Sequence, residues 1–330
     1  MSTHRPELVA TELVAVVLAM RAGEPHVLTV GREGGVAALP AGPLRSEHRT
    51  LAAGLRAWVQ QLTGHRLGYA EQLYTFADRE RFGAHQRIIS VSYLGLAGAV
   101  ADPGTPTDGA PHWRPVYDFL PLEDRRPAPE QQSEALVRHL REWARSAPAI
   151  QEARSERIDI AFGFGPDGGP AVWAPEGALA RYELSWEAGL VAEARRPGAV
   201  RGGHGATASS PDTGGPHDHA ATTGEPMLHD HRRILATGLS RLRTTLQYRP
   251  VVFELMPAAF TLRELQDCVE AVSGTRLHTQ NFRRLVLGQD LVEPTGAHET
   301  GTGGRPARLF RFRRDVIGQR SVGLALPRSR

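Results

Sequence analysis

No lysine occurs in the 330 residues, so arginine supplies all 39 basic side chains. This absence is more typical of codon bias than of function. Cysteine is nearly absent as well, and the single Cys268 excludes an intrachain disulfide and a cysteine-based zinc cage. Because Cys268 lies on the apolar face of a predicted helix, we expect its side chain to be buried.

The sequence also lacks a long apolar run and a basic, then apolar, amino-terminal leader. A hydrophobic content of 41% without such a run fits a globular protein that does not enter a membrane. We therefore expect a cytoplasmic protein, and 330 residues are enough for two domains.

The charge is unevenly distributed along the chain. From residue 229 to the end there are 17 arginines and 9 acidic residues, which gives a net charge of +8. The preceding part has 22 against 27, a balance of −5, so that the two parts give the net charge of +3. A basic carboxy-terminal module on an acidic body predicts that only the module meets a polyanion.

Hydrophobic periodicity predicts an α+β protein. Apolar, partly β-branched runs predict strands, and apolar faces at helical spacing predict helices. Strands are predicted at residues 8–20, 25–30, 36–39, 73–76, 88–96 and 158–162. Helices are predicted at 50–62, 129–146, 179–192, 232–246, 262–273 and 278–287.

Residues 196–228 are rich in Gly, His, Thr, Pro and Ser, and predict a flexible linker between residues 1–195 and 229–330. Its histidines and the two that follow could bind a metal ion. Because a flexible segment has no surrounding residues to orient these ligands, adventitious metal binding is the favoured interpretation. These are His204, His217, His219, His229 and His231.

Residues 260–312 predict a winged helix-turn-helix: two helices and then a glycine-rich hairpin, with arginines on the second helix and on the hairpin. Thr261 and Glu264 form a capping-box pattern at the first helix. On the second helix the apolar residues face inward, and the polar ones are predicted to contact DNA. The predicted contacts on this helix are Thr279, Gln280, Asn281, Arg283 and Arg284.

The hairpin is the predicted wing. Its tip, residues 301–306, contains glycines that allow the backbone to approach DNA closely. Thr302, Gly304 and Arg305 are the predicted contacts, with Arg305 reaching a phosphate or the minor groove.

Residues 39–64 resemble the signature of the Nudix hydrolases, in which glutamates hold divalent cations on a diphosphate. The entry sequence at 39–42 and the exit at 63–64 match, but the family's carboxylates do not. Ala57 and Trp58 replace the Arg-Glu pair, and Gln61 and Leu62 replace the Glu-Glu pair. A Nudix-like α/β/α sandwich without Nudix hydrolysis and without a metal site is therefore predicted.

Such a domain can still bind a nucleotide ligand without hydrolysing it. Arginines near the former box can pair directly with phosphates, and Glu47 lies beside them. The predicted effector-binding residues are Arg45, Glu47, Arg49 and Arg56.

The combination resembles the Nudix-related transcriptional regulators of NAD metabolism. The resemblance is carried by the Nudix-like frame and by residues 248–257, 260–266, 281–284 and 304–307. Residues 39–43, 47–51, 54–59 and 71–76 are closer to the alphaproteobacterial branch. It implies a homodimeric repressor of NAD biosynthesis or salvage genes that binds operator DNA. The implied effector is a nucleotide of the ADP-ribose, NAD or ATP class, with no cofactor.

Two other functions stay open from the sequence. The first is an active nucleotide diphosphate hydrolase whose metal ligands come from Glu47, Glu71 and Asp78. The second is an interaction protein that does not bind DNA. The long linker also leaves open how a sensor would be coupled to the DNA-binding module.

Overall fold

The computed structural model places two β-sheets and eight α-helices within the part of the chain that it describes. The described residues are 9–31, 35–63, 67–76, 87–98, 110–127, 130–165, 172–195, 223–299 and 306–313.

The larger sheet has seven strands in the order β3-β2-β1-β6-β5, with β4 added on β1 and β7 on β2. Strands β1 and β6 run parallel, and every other pair is antiparallel. The strands are β1 (Val9–Arg21), β2 (Glu24–Gly31), β3 (Ala37–Ala38), β4 (Ala41–Pro43), β5 (Tyr69–Phe76), β6 (Arg87–Leu96) and β7 (Pro111–Pro115).

Strand β1 is buried on both faces, because helices cover both sides of the sheet. This explains its nearly continuous apolar sequence, which lacks the alternation of a half-exposed strand. Leu13, Ala15 and Val17 face one core together with Leu55 and Val59 of the first helix. The opposite face carries a larger core that continues into the carboxy-terminal module, and its members on β1 are Val14, Val16 and Leu18.

The helices complete a sandwich around this sheet. They are α1 (Leu51–Thr63), α2 (Val116–Phe119), α3 (Glu130–Arg145), α4 (Gln151–Phe162), α5 (Ala178–Glu187), α6 (His231–Tyr248), α7 (Leu262–Ser273) and α8 (Thr279–Gly288). A second, three-stranded sheet has the order β8-β10-β9 and consists of β8 (Phe260–Thr261), β9 (Val292–His298) and β10 (Arg308–Phe312).

The predicted strand at 158–162 is wrong, since these residues form the end of α4. Ile158 and Ile160 suggested strand alternation, but they do not share a face. Ile158 is buried with Ala161 and Phe162, at the i, i+3, i+4 spacing of a helix, whereas Ile160 is 70% exposed. Gly163, with a φ of 77°, ends the helix.

Helix α6 is amphipathic as predicted, and its apolar side chains are all fully buried: Ile234, Leu235, Leu239, Leu242 and Leu246. They join the large core that also contains Val16 of the sheet and Leu265 of α7. Gly238 lies so close to Val16 that an added Cβ would come within 2.9 Å of its side chain. Helix α6 therefore connects the sheet to the carboxy-terminal module.

The last six residues of the predicted linker are packed rather than flexible. The Met227 side chain is fully buried, and its backbone N–H donates to Glu193 at 2.9 Å. Arg232, also fully buried, pairs with Glu193 and donates to the carbonyl groups of Thr223 and Gly224. The bonds from Met227 and Arg232 to Glu193 join residues 34 and 39 apart in the chain, so composition could not predict them. Residues 196–222 lie outside the described part.

Cys268 is buried in the core as predicted, and burial raises the pKa of its thiol to about 12. Within the described part of the chain, no helix combines the length and apolar character needed to cross a membrane.

Candidate nucleic-acid interface and nucleotide-sensing domain

Helix α1 and the loop before it form the region that resembles a Nudix box. Thr50 caps the helix by accepting from the Ala53 N–H at 3.1 Å, and Leu55 and Val59 fix it to the sheet. The Trp58 ring packs on the entry loop at Gly42, where an added Cβ would lie 1.9 Å from the ring. Its indole N–H donates to Pro43 O at 3.3 Å, so that Trp58 is a packing residue.

The other positions at which the sequence predicts a replaced carboxylate differ in environment. Ala57 and Gln61 are exposed on the outer side of α1, and the Leu62 side chain lies outside the description. Among the described residues, no three His, Cys, Asp or Glu side chains are grouped to hold a metal ion. Glu71 instead accepts from the Tyr69 hydroxyl at 2.5 Å, and Asp78 is not described.

The four predicted effector-binding residues lie in the loop before α1 and on its outer face, and all are exposed. Arg45 and Glu47 form an ion pair at 3.7 Å. The loop is closed by two bonds, from the Arg45 N–H to His48 Nδ1 at 3.2 Å and from the His48 N–H to Arg45 O at 3.1 Å. Arg49 and Arg56 have no ion pair with another described residue, which leaves their charges available to an anionic ligand.

His231, one of the candidate metal ligands in the sequence, has a structural role. Its side chain is 6% exposed, and Nδ1 accepts from the Leu39 N–H at 2.9 Å. This bond fixes the start of α6 to the loop that enters the Nudix-like box.

Helices α7 and α8 form the predicted helix-turn-helix. Both capping-box bonds are present: Thr261 Oγ1 accepts from the Glu264 N–H at 3.1 Å, and Glu264 accepts from the Thr261 N–H at 2.7 Å. Gly274 ends α7 with a φ of 70°. Phe282 and Val286 lie on the inner face of α8 and are buried in the core.

The outer face of α8 carries the predicted DNA contacts. Gln280, Asn281, Arg283 and Arg284 are exposed, and Arg284 donates to Asn281 Oδ1 at 3.2 Å. Thr279 is only partly exposed and accepts from the Gln266 amide at 3.3 Å. Thr279 is therefore also part of the contact between the two helices.

The predicted wing strands are present as β9 and β10. Phe312 stacks on Phe253 with ring centroids 4.1 Å apart, which joins the wing to the core. Arg311 pairs with Glu293 across the strands at 2.6 Å, and Arg308 is exposed. The predicted contacts Thr302, Gly304 and Arg305 lie outside the described residues.

A direct junction, which no local sequence pattern indicates, joins the helix-turn-helix to the body. The carboxyl end of α7 exposes carbonyl groups that need donors. The Tyr117 hydroxyl donates to Ala271 O, and the Arg125 N–H donates to Gly274 O at 2.7 Å. In the opposite direction, Arg276 donates to Arg126 O at 3.2 Å.

Glu123 is the centre of this junction. Its carboxylate is almost completely buried between Arg181, at 2.7 Å, and Arg243, at 2.5 Å. Arg243 also donates to Val272 O of α7 at 2.9 Å and to Pro175 O at 2.8 Å. Burial alone would raise the pKa of Glu123, but the two guanidinium groups hold it below its ordinary value. The body and α7 thus share one buried ionic network.

Comparison with known proteins identifies the carboxy-terminal module. Residues 252–312 match the family described as the NrtR DNA-binding winged helix domain. The ADPR responsive transcriptional repressor NtrR of Acinetobacter baylyi is 37% identical over 86 residues, which cover 26% of this chain. The aligned segment spans about a third of that protein, 34% of its length.

Solved structures match over nearly the whole chain. Shewanella oneidensis NrtR in complex with a 27mer DNA has a TM-score of 0.54 at 18% identity, covering 95% of this chain and 98% of the other. A MutT/nudix family protein from Enterococcus faecalis has a TM-score of 0.53 at 15% identity, covering 93% and 89%. The chain therefore has an NrtR-type winged helix and the overall fold of NrtR, and the resemblance seen in the sequence is confirmed at this level.

Proposed function

We propose that this protein is a DNA-binding transcriptional repressor of NAD biosynthesis or salvage genes. Its Nudix-like domain binds a nucleotide of the ADP-ribose, NAD or ATP class, and the winged helix binds the operator. The observation that carries the proposal is the exposed polar and basic face of α8 in an NrtR-type winged helix. The matched Acinetobacter protein is itself an ADPR responsive repressor, which supports this class of effector.

The charges of α8 suit DNA better than a protein partner. Arg283 is exposed and has no ion pair with another described residue, and Arg284 has only an amide partner. An arginine fork can bind guanine O6 and N7 or a phosphate, and exposed Gln280 can pair with adenine. A homodimer would place two such helices on two half-sites of one operator, one or more helical turns apart.

Replacing Arg283 or Arg284 with Ala is expected to weaken specific DNA binding roughly tenfold or more, because a base contact of this type is worth about 1–3 kcal/mol. Binding is measured by fluorescence anisotropy on promoter fragments upstream of NAD-synthesis genes, at several salt concentrations. A residue that contacts phosphate instead lowers the salt slope by about one. The matched control is Arg138→Ala, an exposed arginine on α3. Wild-type protein that shows no sequence preference at physiological salt would exclude the repressor.

The Nudix-like domain is proposed to bind its nucleotide without hydrolysing it. Ala57, Trp58, Gln61 and Leu62 stand where the Nudix family places its charged residues, and Trp58 packs on the entry loop through its indole. Without carboxylates the helix cannot hold the hard cations that diphosphate hydrolysis requires. Incubation with ADP-ribose and Mg²⁺ or Mn²⁺ should release no AMP. Turnover that Glu47→Gln abolishes would favour the hydrolase with relocated ligands.

The effector is identified by the same DNA titration in the presence of ADP-ribose, NAD or ATP. A nucleotide that regulates the protein must bind one DNA-binding state better than the other, and DNA must change the affinity for that nucleotide by the same factor. Replacing Arg49 and Arg56 with Ala tests the proposed phosphate contacts, because it should weaken nucleotide binding and so reduce the effect of the nucleotide on the Kd for DNA. If no nucleotide changes the Kd for DNA, the sensing role is excluded while DNA binding stands.

A further inference from the structure

Two polar residues of α7, Gln266 and Glu270, are buried beneath the first turn of α8. Gln266 is 3% exposed and Glu270 is 8% exposed. They lie four residues apart, so both project from the same face of the helix. The Gln266 amide donates to Glu270 Oε1 at 2.7 Å. Burying a carboxylate and an amide on the first helix of a helix-turn-helix costs free energy of desolvation, which their hydrogen bonds must offset.

Both side chains extend to the start of α8. Glu270 Oε1 also accepts from the Leu277 N–H at 2.9 Å. The Gln266 amide nitrogen donates to Leu277 O at 3.0 Å and lies 3.3 Å from Thr279 Oγ1. Together they hold both backbone groups of Leu277 and the first side chain of α8.

The orientation of the Gln266 amide follows from its surroundings. Two groups that can only accept face its nitrogen, Glu270 Oε1 and Leu277 O, so a flipped amide would place oxygen against oxygen at both. Its Oε1 atom is buried and accepts no hydrogen bond from a described residue. The donor end of the side chain thus points at α8, whereas its acceptor end has no partner among the described residues.

We propose that Gln266 and Glu270 are the positioning residues of the recognition helix. They fix the turn at Leu277 and thereby set the direction in which Gln280, Arg283 and Arg284 leave α8. The inference rests on the proposed DNA-binding function, and it assigns sequence specificity in part to two residues that do not touch DNA. Phosphate contacts tolerate a shift of the helix, whereas base contacts do not, because base edges must be met by paired donors and acceptors.

The test compares specific with non-specific binding of the full chain. The probes are the duplex that the wild-type protein selects from a random library and a scrambled duplex of the same length. Gln266→Met keeps the volume but removes the donor to Glu270 Oε1 and Leu277 O, so the protein is expected to stay folded with a lowered melting temperature. The specific Kd should rise roughly tenfold, the size of one mismatched base pair, while the non-specific Kd stays nearly unchanged.

Three further variants and one control complete the test. Glu270→Ala removes the shared acceptor and should cause the same loss, and the double variant should lose no more than either single variant. Glu270→Gln keeps one acceptor oxygen and should bind like the wild type. Gln60→Met, an exposed Gln→Met change on α1, is the matched control.

The outcomes separate this inference from the function on which it rests. If the wild-type protein selects no sequence, both are overturned. If it selects one, and the folded Gln266→Met or Glu270→Ala protein keeps the wild-type ratio of specific to non-specific affinity, only the positioning role is overturned. An equal loss on both duplexes would also overturn it, because that result indicates general damage to the winged helix.

Discussion

Replacing Arg243 with Met is expected to lower the free energy of unfolding by about 3–5 kcal/mol, the range for breaking a buried ion pair from one side. The Arg243 side chain is 1% exposed, and its guanidinium contacts the Glu123 carboxylate at 2.5 Å and the Glu123 carbonyl at 2.8 Å. It also donates to Val272 O and Pro175 O. Methionine fills the space but leaves these acceptors without a donor, and Arg181 alone then faces the carboxylate.

Urea unfolding followed by circular dichroism measures this loss through the midpoint and the slope. The matched control is Arg241→Met on the same helix. Its side chain is 43% exposed and reaches Glu71 only at 4.0 Å, so it should cost at most about 1 kcal/mol. Similar losses for the two variants would show that the buried contacts of Arg243 stabilise the protein no more than the exposed pair of Arg241 does.

The pH dependence has a definite sign. Because the folded-state pKa of Glu123 is lowered, its pairing stabilises the protein fully above the carboxyl's ordinary pKa of 4.5. That stability is lost as the pH falls through the lowered value, where the carboxylate takes up a proton. The difference between the wild type and Arg243→Met should therefore be constant near neutral pH and should shrink in acid.

Local patterns predicted the winged helix well. The capping box of Thr261 and Glu264 spans three residues, and the buried face of α7 repeats at helical spacing, so both are visible without knowledge of the fold. The apolar run at residues 8–20 likewise predicted a strand, which the structure places at Val9–Arg21. The strand prediction at 158–162 was wrong because a segment of five residues fits both the two-residue period of a strand and the 3.6-residue period of a helix. Only tertiary packing decides which side chains are buried.

The junction could not be predicted in this way. Glu123 lies 58 residues before Arg181 and 120 before Arg243, and no local pattern distinguishes these three from solvated surface charges. Gln266 and Glu270 lie on the inner face of α7, where apolar residues are expected, and their role depends on the turn that follows. The effector-binding residues stay a prediction, because three of the four are exposed arginines and exposure alone does not distinguish a phosphate contact from a solvated side chain.

Gly274→Ala is the second change with a large expected effect, and it tests the junction through the backbone alone. Gly274 has a φ of 70°, a conformation that costs a residue with a Cβ about 1–2 kcal/mol. A Cβ at this position would lie 1.9 Å from the Glu123 carbonyl oxygen, a backbone atom that cannot rotate away. The displacement needed adds about 1–3 kcal/mol of overpacking. The melting temperature should fall accordingly.

Gly288→Ala is the matched control, because an added Cβ at the end of α8 meets nothing within 4 Å. Removing glycine from a helical position should leave stability unchanged or raise it slightly. If Gly274→Ala unfolds like this control, the close contact between α7 and Glu123 is wrong. If it is destabilised and its DNA binding no longer responds to the nucleotide that regulates the wild type, the junction is the route that couples the two domains. Coupling then requires only that α7 move relative to Glu123, without any signal through residues 196–222.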